Sequence, residues 1–188
     1  AAGFELISTG GTAAALRQQG LDVTDVAEIT GFPELMDGRV KTLHPAIHAG
    51  ILARANSKAD VAELKEHDIA PFQLVVVNLY PFQETIAQPD ATHDMALEKI
   101  DIGGPTMVRA AAKTHTRVAV VTSPNDYSAI LEELNTTENI SASTRAKLAS
   151  KAFAHTAAYD AAIANWMAAQ VTNGVEALPP LMTVRANK

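Results

Sequence analysis

The sequence contains no cysteine, which excludes disulfide bonds, thiolate catalysis and cysteine-ligated metal sites, and which fits a cytosolic protein. It also lacks any apolar run close to the roughly 20 residues that a membrane-spanning helix needs, and no signal peptide is recognisable. Basic residues are few: 15 Lys and Arg stand against 21 Asp and Glu, giving a formal net charge of -6. A nucleic-acid-binding protein usually presents a basic face instead. We therefore expect a cytoplasmic protein with neither a membrane nor a nucleic acid as its partner.

The chain does have the composition of an ordinary globular domain: 188 residues, 47% of them hydrophobic and 19% charged. Short apolar runs alternate with amphipathic segments, which predicts an α/β fold with a largely parallel sheet. The valine-rich run over 74–79 predicts a strand buried on both faces, and so does the run over 118–121. The other predicted elements are a strand over 4–7 and helices over 13–19, 57–68, 92–99, 105–114, 123–134 and 141–170.

A glycine-rich turn follows the first predicted strand and contains Thr9, Gly10, Gly11 and Thr12. Glycines let backbone N–H groups approach an anion, the following helix N-terminus attracts negative charge, and the threonines add hydroxyls. Ligands of parallel α/β sheets bind at the carboxyl ends of the strands, where this turn is expected. The turn is therefore either a phosphate cradle or a plain tight turn with a threonine cap.

Three polar residues, Arg39, Lys41 and Thr42, follow a second turn at Asp37 and Gly38. Arginine binds a phosphate through two parallel hydrogen bonds, and lysine supplies a compact charge or a proton. The pattern fits an anion-binding loop, and it fits a solvated charged loop equally well.

A third glycine turn, Asp-Ile-Gly-Gly-Pro from Asp101, opens the helix predicted over 105–114. Thr106, Arg109 and Lys113 are spaced three and four residues apart, so they share one face of that helix. Helical side chains lean toward the N-terminus, so Asp101 and Lys113 are expected to approach one cleft from two directions. The alternative is a capping aspartate followed by solvated cations.

Two further pairs of polar residues have competing interpretations. His44 and His48 have a metal-ligand spacing, but Pro45 is expected to interrupt the helix that the pair needs, so no metal site is predicted. Asn78 and Tyr80 end a predicted strand and are suited to donate hydrogen bonds to a developing oxyanion, although Tyr80 equally fits the core. A stripe on the last helix is predicted to pack as core or interface: Leu148, Ala152, His155, Tyr159, Ile163 and Trp166.

Several long motifs occur in one order along the chain. With them, residues 4 to about 167 resemble the N-terminal, inosine monophosphate (IMP) cyclohydrolase part of the bifunctional purine-biosynthesis enzymes, whose other half is the aminoimidazole carboxamide ribonucleotide formyltransferase. The resemblance implies a methylglyoxal-synthase-like three-layer α/β sandwich. The motifs are Thr-Gly-Phe-Pro-Glu from Thr30, Gly-Arg-Val-Lys-Thr-Leu-His-Pro from Gly38, Asn-Leu-Tyr-Pro-Phe from Asn78, Ile-Asp-Ile-Gly-Gly-Pro-Thr from Ile100, Arg-Ala-Ala-Ala-Lys from Arg109 and Phe-Ala-His-Thr-Ala-Ala-Tyr-Asp from Phe153.

The resemblance also implies a reaction. Its substrate is 5-formamidoimidazole-4-carboxamide ribonucleotide, whose carboxamide nitrogen attacks the formyl carbon, and loss of water then closes the purine ring to give IMP. No metal or organic cofactor is implied for this step, because folate belongs to the formyltransferase half. Both reacting groups are already on one molecule, so the site must mainly bring them together and move protons.

By the same resemblance, Lys113 is the best candidate proton donor or acceptor, and Lys41, Tyr80 and Asp101 have supporting catalytic roles. Asn78, Asp101 and Ile102 would contact the base, and Gly103 belongs to the same substrate-binding set. The residues implied to hold the phosphate and its neighbouring groups are Thr9, Gly10, Gly11, Thr12, Arg39, Val40, Lys41 and Thr42.

The chain departs from that family at both ends. The family begins with a strand and a Ser-Val-Ser-Asp-Lys-like loop that completes the phosphate site, whereas this sequence starts abruptly. We therefore expect residues 1–170 to form a cyclohydrolase domain that lacks its first strand, and residues 171–188 to form a linker toward a formyltransferase domain. The parent enzyme is expected to be a homodimer.

Two alternatives to catalysis of this ring closure are considered. One is a non-catalytic, nucleotide-sensing regulatory domain of the same sandwich class, like the allosteric domain of carbamoyl-phosphate synthetases. The other is methylglyoxal synthase itself, which ranks last because its catalytic Asp-rich segment has no match here.

Overall fold

The first part of the fold is a strand–helix–strand unit. A computed structural model describes residues 3–171. Strand β1 (Ile7–Ser8) leads into helix α1 (Gly10–Gln18), and strand β2 (Thr24–Asp25) pairs parallel with β1. The helix begins earlier than predicted, because the two glycines form its first turn rather than a loop before it. Gly20 follows the helix with φ +77°, as expected for a glycine that ends a helix.

Helices connect this unit to the second pair of strands. Helix α2 (Val26–Thr30) begins with a capping box formed by Asp25 and Glu28. A 3-10 turn (Met36–Gly38) precedes helix α3 (Pro45–Leu52), and helix α4 (Lys58–Glu66) follows with the predicted Ser57 cap. The sequence predicted no element at β2, α2 or α3.

The expectation that Pro45 interrupts a helix was wrong. Pro45 is the first residue of α3, a position where its missing N–H costs nothing, and His44 caps the helix by accepting a hydrogen bond from the Ala46 N–H at Nδ1. His48 lies one turn further along α3. Within residues 3–171, no group of three or more potential metal-ligating side chains is present.

The second pair of strands, β3 (Leu74–Val76) and β4 (Ala119–Val121), is also parallel, with Val75 opposite Val120. Between them lie helices α5 (Phe82–Ile86), α6 (His93–Glu98) and α7 (Gly103–Lys113), and α5 was not predicted. Strand β4 is buried on both faces as expected, but β3 is not, because Val76 is 49% exposed. In the described part of the chain, no ladder joins the β1–β2 pair to the β3–β4 pair.

After β4, a 3-10 turn (Pro124–Asp126) leads into helix α8 (Tyr127–Thr137), and the long helix α9 (Ala142–Val171) ends the described residues. Residues 172–188 of the predicted tail lie outside those residues, while Val171 still belongs to α9. The α/β class with parallel strand pairing is confirmed. No helix of the described residues is both long enough and apolar enough to span a membrane.

The main core lies where α7, α9 and β4 pack together, with α3 packed on α7. Its members include Val108 of α7, Val120 of β4 and Ala152 of α9, which are almost fully buried. A smaller cluster joins the predicted α9 stripe to α5: Phe82 packs edge-on against the rings of Tyr159 and Trp166. The interpretation of that stripe as packing is confirmed for Leu148, Ala152, Tyr159, Ile163 and Trp166.

Candidate functional site

The N-terminus of α1 carries the first of the predicted residues. Gly10 starts the helix with φ +56°, and Gly10, Gly11 and Thr12 are all exposed. The Thr9 side chain makes no capping hydrogen bond, and the first turn holds no acidic residue. The alternative of a turn with a threonine cap is therefore wrong, and the N–H groups at this end of the helix, where the dipole is positive, stay available for an anion.

A short hairpin carries the second group. Leu35 and Val40 form an isolated antiparallel bridge, with N–O distances of 3.3 Å from the Leu35 amide and 3.4 Å from the Val40 amide. The turn between them takes positive φ at Met36, Asp37 and Gly38 (54°, 53° and 90°). The Val40 N–H is therefore engaged inside the hairpin.

Lys41 extends from this hairpin toward α1. A Cβ built on Gly10 would lie 3.1 Å from Lys41 Nζ, so the ammonium approaches the start of the helix closely. Nζ also lies 2.5 Å from Glu34 Oε1, and 22% of the lysine side chain is exposed. The hairpin thus holds a cation beside an uncapped helix N-terminus.

Thr42 connects the same loop to the start of α7. A Cβ built on Gly103 would lie 2.8 Å from Thr42 Oγ1, which shows how closely the two segments pack. The three predicted glycine-containing segments, at α1, the hairpin and α7, are therefore brought together at one place through Lys41 and Thr42.

Asp101 fixes the first turn of α7. Its Oδ1 accepts a hydrogen bond of 2.8 Å from the Gly104 N–H, so the interpretation of Asp101 as a capping residue is confirmed. The Tyr159 hydroxyl of α9 accepts from the Asp101 N–H at 2.9 Å and donates to the Lys99 carbonyl at 2.8 Å. Burial raises the pKa of Tyr159 and outweighs the hydrogen bond from the Asp101 N–H, which lowers it, so the phenol stays protonated at neutral pH.

The exposed face of α7 carries the remaining predicted cations. Ile102, Thr106, Arg109 and Lys113 are all exposed, which confirms that Thr106, Arg109 and Lys113 share one face. The Arg109 guanidinium lies 5.6 Å from the centre of the Phe153 ring of α9. Lys113 is the last residue of α7, roughly 15 Å along the helix axis from Gly103. The fold therefore separates Lys113 from the place where Lys41 and Thr42 meet.

The segment after β3 borders the same region. A Cβ built on Gly104 would lie 2.9 Å from Leu79 Cδ2, so residues 78–80 reach the first turn of α7. Asn78 donates to the Tyr127 hydroxyl at 3.2 Å. Tyr80 is 51% exposed, with Lys99 Nζ at 5.8 Å from its ring centre, so the alternative that Tyr80 belongs to the core was wrong.

The predicted phosphate ligand Arg39 is engaged with another side chain. Its guanidinium forms an ion pair with Glu98 at the end of α6, and both side chains are largely exposed. Exposed ion pairs of this kind contribute little free energy, so Arg39 can exchange Glu98 for another anion at small cost.

The sequence interpretation missed three side chains at this site: Glu34, Glu98 and Tyr159. Glu34 belongs to the Thr-Gly-Phe-Pro-Glu motif, and the Asp-Gly turn was the signal that could have placed it opposite Lys41 across a hairpin. Tyr159 was taken as packing, which is right for its ring but leaves out its hydroxyl. Glu98 gave no local signal, because its partner lies 59 positions away.

Comparison with known proteins places the chain in a family. The model of the MGS-like domain, where MGS stands for methylglyoxal synthase, matches residues 1–106. The model of the AICARFT/IMPCHase bienzyme matches residues 111–188. The crystal structure of ForH superposes with a TM-score of 0.74 at 37% sequence identity, over 87% of this chain and 85% of that one.

Curated relatives give the same result over a longer span. The bifunctional purine biosynthesis protein PurH of Streptococcus mutans is 57% identical over 169 residues, which is 90% of this chain and 33% of the relative. PurH of Bacillus cytotoxicus is 53% identical over 186 residues, 99% of this chain and 36% of the relative. The chain thus spans about a third of the length of these relatives. From the matched model and the superposed fold, the chain belongs to the family of MGS-like domains, and its residues 111–188 match the AICARFT/IMPCHase bienzyme.

Proposed function

We propose that this chain closes the purine ring of 5-formamidoimidazole-4-carboxamide ribonucleotide to give IMP. The observation that carries the proposal is the meeting of three glycine-containing segments around Lys41 and Thr42, in a chain whose relatives are named as purine biosynthesis proteins. A C–N bond forms between the carboxamide nitrogen and the formyl carbon, and one water leaves. The substrate exchanges no electrons or chemical groups with a second reactant, so the step needs no cofactor.

The phosphate of the substrate binds at the start of α1 in this proposal. The exposed N–H groups of Gly10, Gly11 and Thr12 and the nearby Lys41 ammonium supply the positive charge that a phosphate requires. Thr9 and Thr42 offer hydroxyls beside it, while Val40 contributes its side chain because its N–H is used in the hairpin.

The imidazole carboxamide then extends over the first turn of α7. Ile102, which is 59% exposed, and Gly103 form the surface under the ring, and the Asn78 amide lies on the neighbouring loop. Arg39 joins the site when it leaves Glu98. Lys113 lies at the far end of the exposed face that begins under the ring, and its long side chain leans back toward the N-terminus of α7, so that side chain must cover the remaining distance to the ring.

Proton transfers complete the reaction: the carboxamide nitrogen and the formamido nitrogen each lose one proton, and the formyl oxygen gains two before it leaves as water. Lys113 is our first candidate for this proton exchange, since it ends the exposed α7 face, with Lys41, Tyr80 and Asp101 as supporting groups. Lys41 is better placed to stabilise negative charge near the phosphate, and the Asp101 carboxylate stays committed to the Gly104 N–H.

The proposal is tested by incubating the chain with the formamido ribonucleotide and following the ultraviolet absorbance of the purine product. We expect turnover to IMP, with unchanged rates after dialysis against a metal chelator. The matched control is the same compound without its 5′-phosphate, which should bind and react poorly. Nucleotide binding without turnover would contradict ring closure and favour the regulatory-domain alternative instead.

The proposal also covers the partner, the cellular location and the oligomeric state of the protein. We infer a small-molecule nucleotide as the partner, a cytoplasmic location and a homodimeric parent enzyme whose further domain carries the formyltransferase activity. Light scattering of the full-length protein during size-exclusion chromatography tests the dimer, and a monomeric mass would contradict it.

A further inference from the structure

We propose that Glu34 is a positioning residue that fixes the Lys41 ammonium beside the N-terminus of α1. The first support is the register of the hairpin. Because Leu35 pairs with Val40, the next residues outward, Glu34 and Lys41, face each other across the two strands. Their charged atoms lie 2.5 Å apart. The backbone pairing of the hairpin therefore places the two partners of this ion pair opposite each other.

The second support is the lack of space around the pair. Gly38 has φ +90°, and a Cβ built there would lie 2.7 Å from Lys41 Nζ and would also collide with Glu34 Oε1 and with Lys41 Cε. On the other side, the ammonium lies close to Gly10. Lys41 is thus confined between two glycines, with Glu34 as its counter-ion.

The two ion pairs of the hairpin differ in how far their side chains are exposed, and this difference distinguishes positioning from simple charge balance. The Lys41 and Glu34 side chains are 22% and 43% exposed, whereas the Arg39 and Glu98 side chains are 66% and 58% exposed. A lysine has a flexible four-carbon stem, so an unrestrained ammonium samples many positions. The confined pair removes that freedom, and the exposed pair does not.

The catalytic consequence rests on the proposed function. A charge that acts on the phosphate or on the closing ring must be held within a fraction of an ångström to be effective. The Glu34 carboxylate does not need to touch the substrate for this, because it acts through Lys41. We therefore expect the loss of Glu34 to lower the turnover rate more than it weakens substrate binding.

The first test does not depend on activity. Full-length wild-type and Glu34→Gln proteins are labelled with a trace of acetic anhydride, and acetylation of Lys41 is measured by mass spectrometry relative to the exposed Lys58. We expect the relative labelling rate of Lys41 to rise about fivefold when its ion pair is lost. Gly38→Ala forces the pair apart without removing a charge, and it should also raise the relative labelling rate of Lys41. An unchanged ratio in both variants would overturn the proposal.

The second test measures ring closure. Glu34→Gln should lower kcat about 10- to 100-fold while KM changes less than about threefold, and Glu34→Asp should recover part of the rate. Arg54→Gln, which removes the ion pair with Asp60 outside the candidate site, is the matched control and should change kcat less than about threefold. Equal effects of Glu34→Gln and Arg54→Gln would refute a positioning role. If the wild-type protein does not close the ring, the proposed function fails, and the labelling ratio alone decides the role of Glu34.

Discussion

At the residue scale, the fold holds the two candidate lysines in opposite ways. Lys41 is confined by Glu34 and two glycines, while Lys113 is exposed on the last turn of α7. A confined ammonium suits fixed charge stabilisation. An exposed lysine at the end of an open face can exchange protons with water between turnovers, which suits a general acid or base. The two positions therefore favour a division of labour between charge and proton transfer.

Lys113→Met tests that division. We expect ring closure to fall by about 10²- to 10⁴-fold, the usual loss when a general acid or base is removed. The fold and the affinity for IMP should change little, because the side chain is exposed and the substitution preserves the helix. Turnover, thermal melting and IMP titration are measured on the same preparation.

Lys65→Met is the matched control for this substitution, since Lys65 is also an exposed lysine in the last turn of a helix, α4. It should leave all three measurements unchanged. Near-normal turnover of Lys113→Met would mean that another group transfers the proton, and Lys41 would be the next residue to test.

Single side chains were predictable from the sequence when their partners were local. Ser57 and Asp101 cap the helices that they precede, as the spacing rules indicate. The Tyr159 hydroxyl was not predictable, because its partner Asp101 lies 58 positions away and only the packing of α9 on α7 brings the two together. Glu34 is intermediate: its partner is near in sequence, but the hairpin must be recognised before the pair can be seen.

At the element scale, the sequence predicted the long helices and missed α2, α3 and α5. Apolar periodicity needs more than one turn to be recognised, and α2 and α5 each have only five residues. The run over 74–79 was apolar enough to predict a fully buried strand, yet Val76 is exposed. Burial depends on what covers a strand, and the composition of the strand itself does not contain that information.

Helix α3 is held by a local cap at its start and by long-range contacts at its end. His44 caps its N-terminus, and Arg117 donates hydrogen bonds to the carbonyl oxygens of Gly50 and Ile51 at 2.8 Å each and of Ala53 at 3.1 Å. A cation at the carboxyl end also matches the helix dipole. Since α3 directly follows the loop of Lys41 and Thr42, these contacts hold the base of the candidate site in place.

His48 gives α3 a predictable dependence on pH. Its Nε2 is buried without a hydrogen-bond partner among the described residues, and burial lowers its pKa below the ordinary value of 6.5. The unfolded chain therefore binds a proton more readily than the folded one. Stability should be complete above about pH 6.5 and should fall as the pH drops below that value.

This dependence is checked by urea unfolding of wild-type and His48→Gln proteins at pH 7, 6 and 5. We expect the wild-type free energy of unfolding to fall toward pH 5 more steeply than that of the variant. His67→Gln, at an exposed histidine, is the control and should retain the wild-type slope. The same slope in all three proteins would show that other groups cause the acid sensitivity.

At the scale of the whole molecule, α7 joins the core to the candidate site. One side packs against α3, α9 and β4, and includes Val108 and three consecutive buried alanines, while the other side carries the exposed polar face. The first turn of α7 is held by Tyr159, which extends from α9. The distance between α7 and α9 therefore sets both the packing of the core and the position of Asp101.

Ala152→Leu tests this coupling between core and site. Ala152 is fully buried in the main core, where α9 packs on α7 and β4, so a larger side chain must push these elements apart. Overpacking of this kind costs about 1–3 kcal/mol, and it should also lower turnover at temperatures where the variant is fully folded, because Tyr159 moves with α9. Ala157→Leu, at an exposed position of the same helix, is the control and should change stability by no more than about 0.5 kcal/mol. Chemical unfolding and ring-closure rates are measured for both variants. A destabilised Ala152→Leu protein with an unchanged rate would show that the site does not depend on the packing of the core. The Tyr159 hydroxyl would then keep its hydrogen bonds to Asp101 and Lys99 even when α9 shifts.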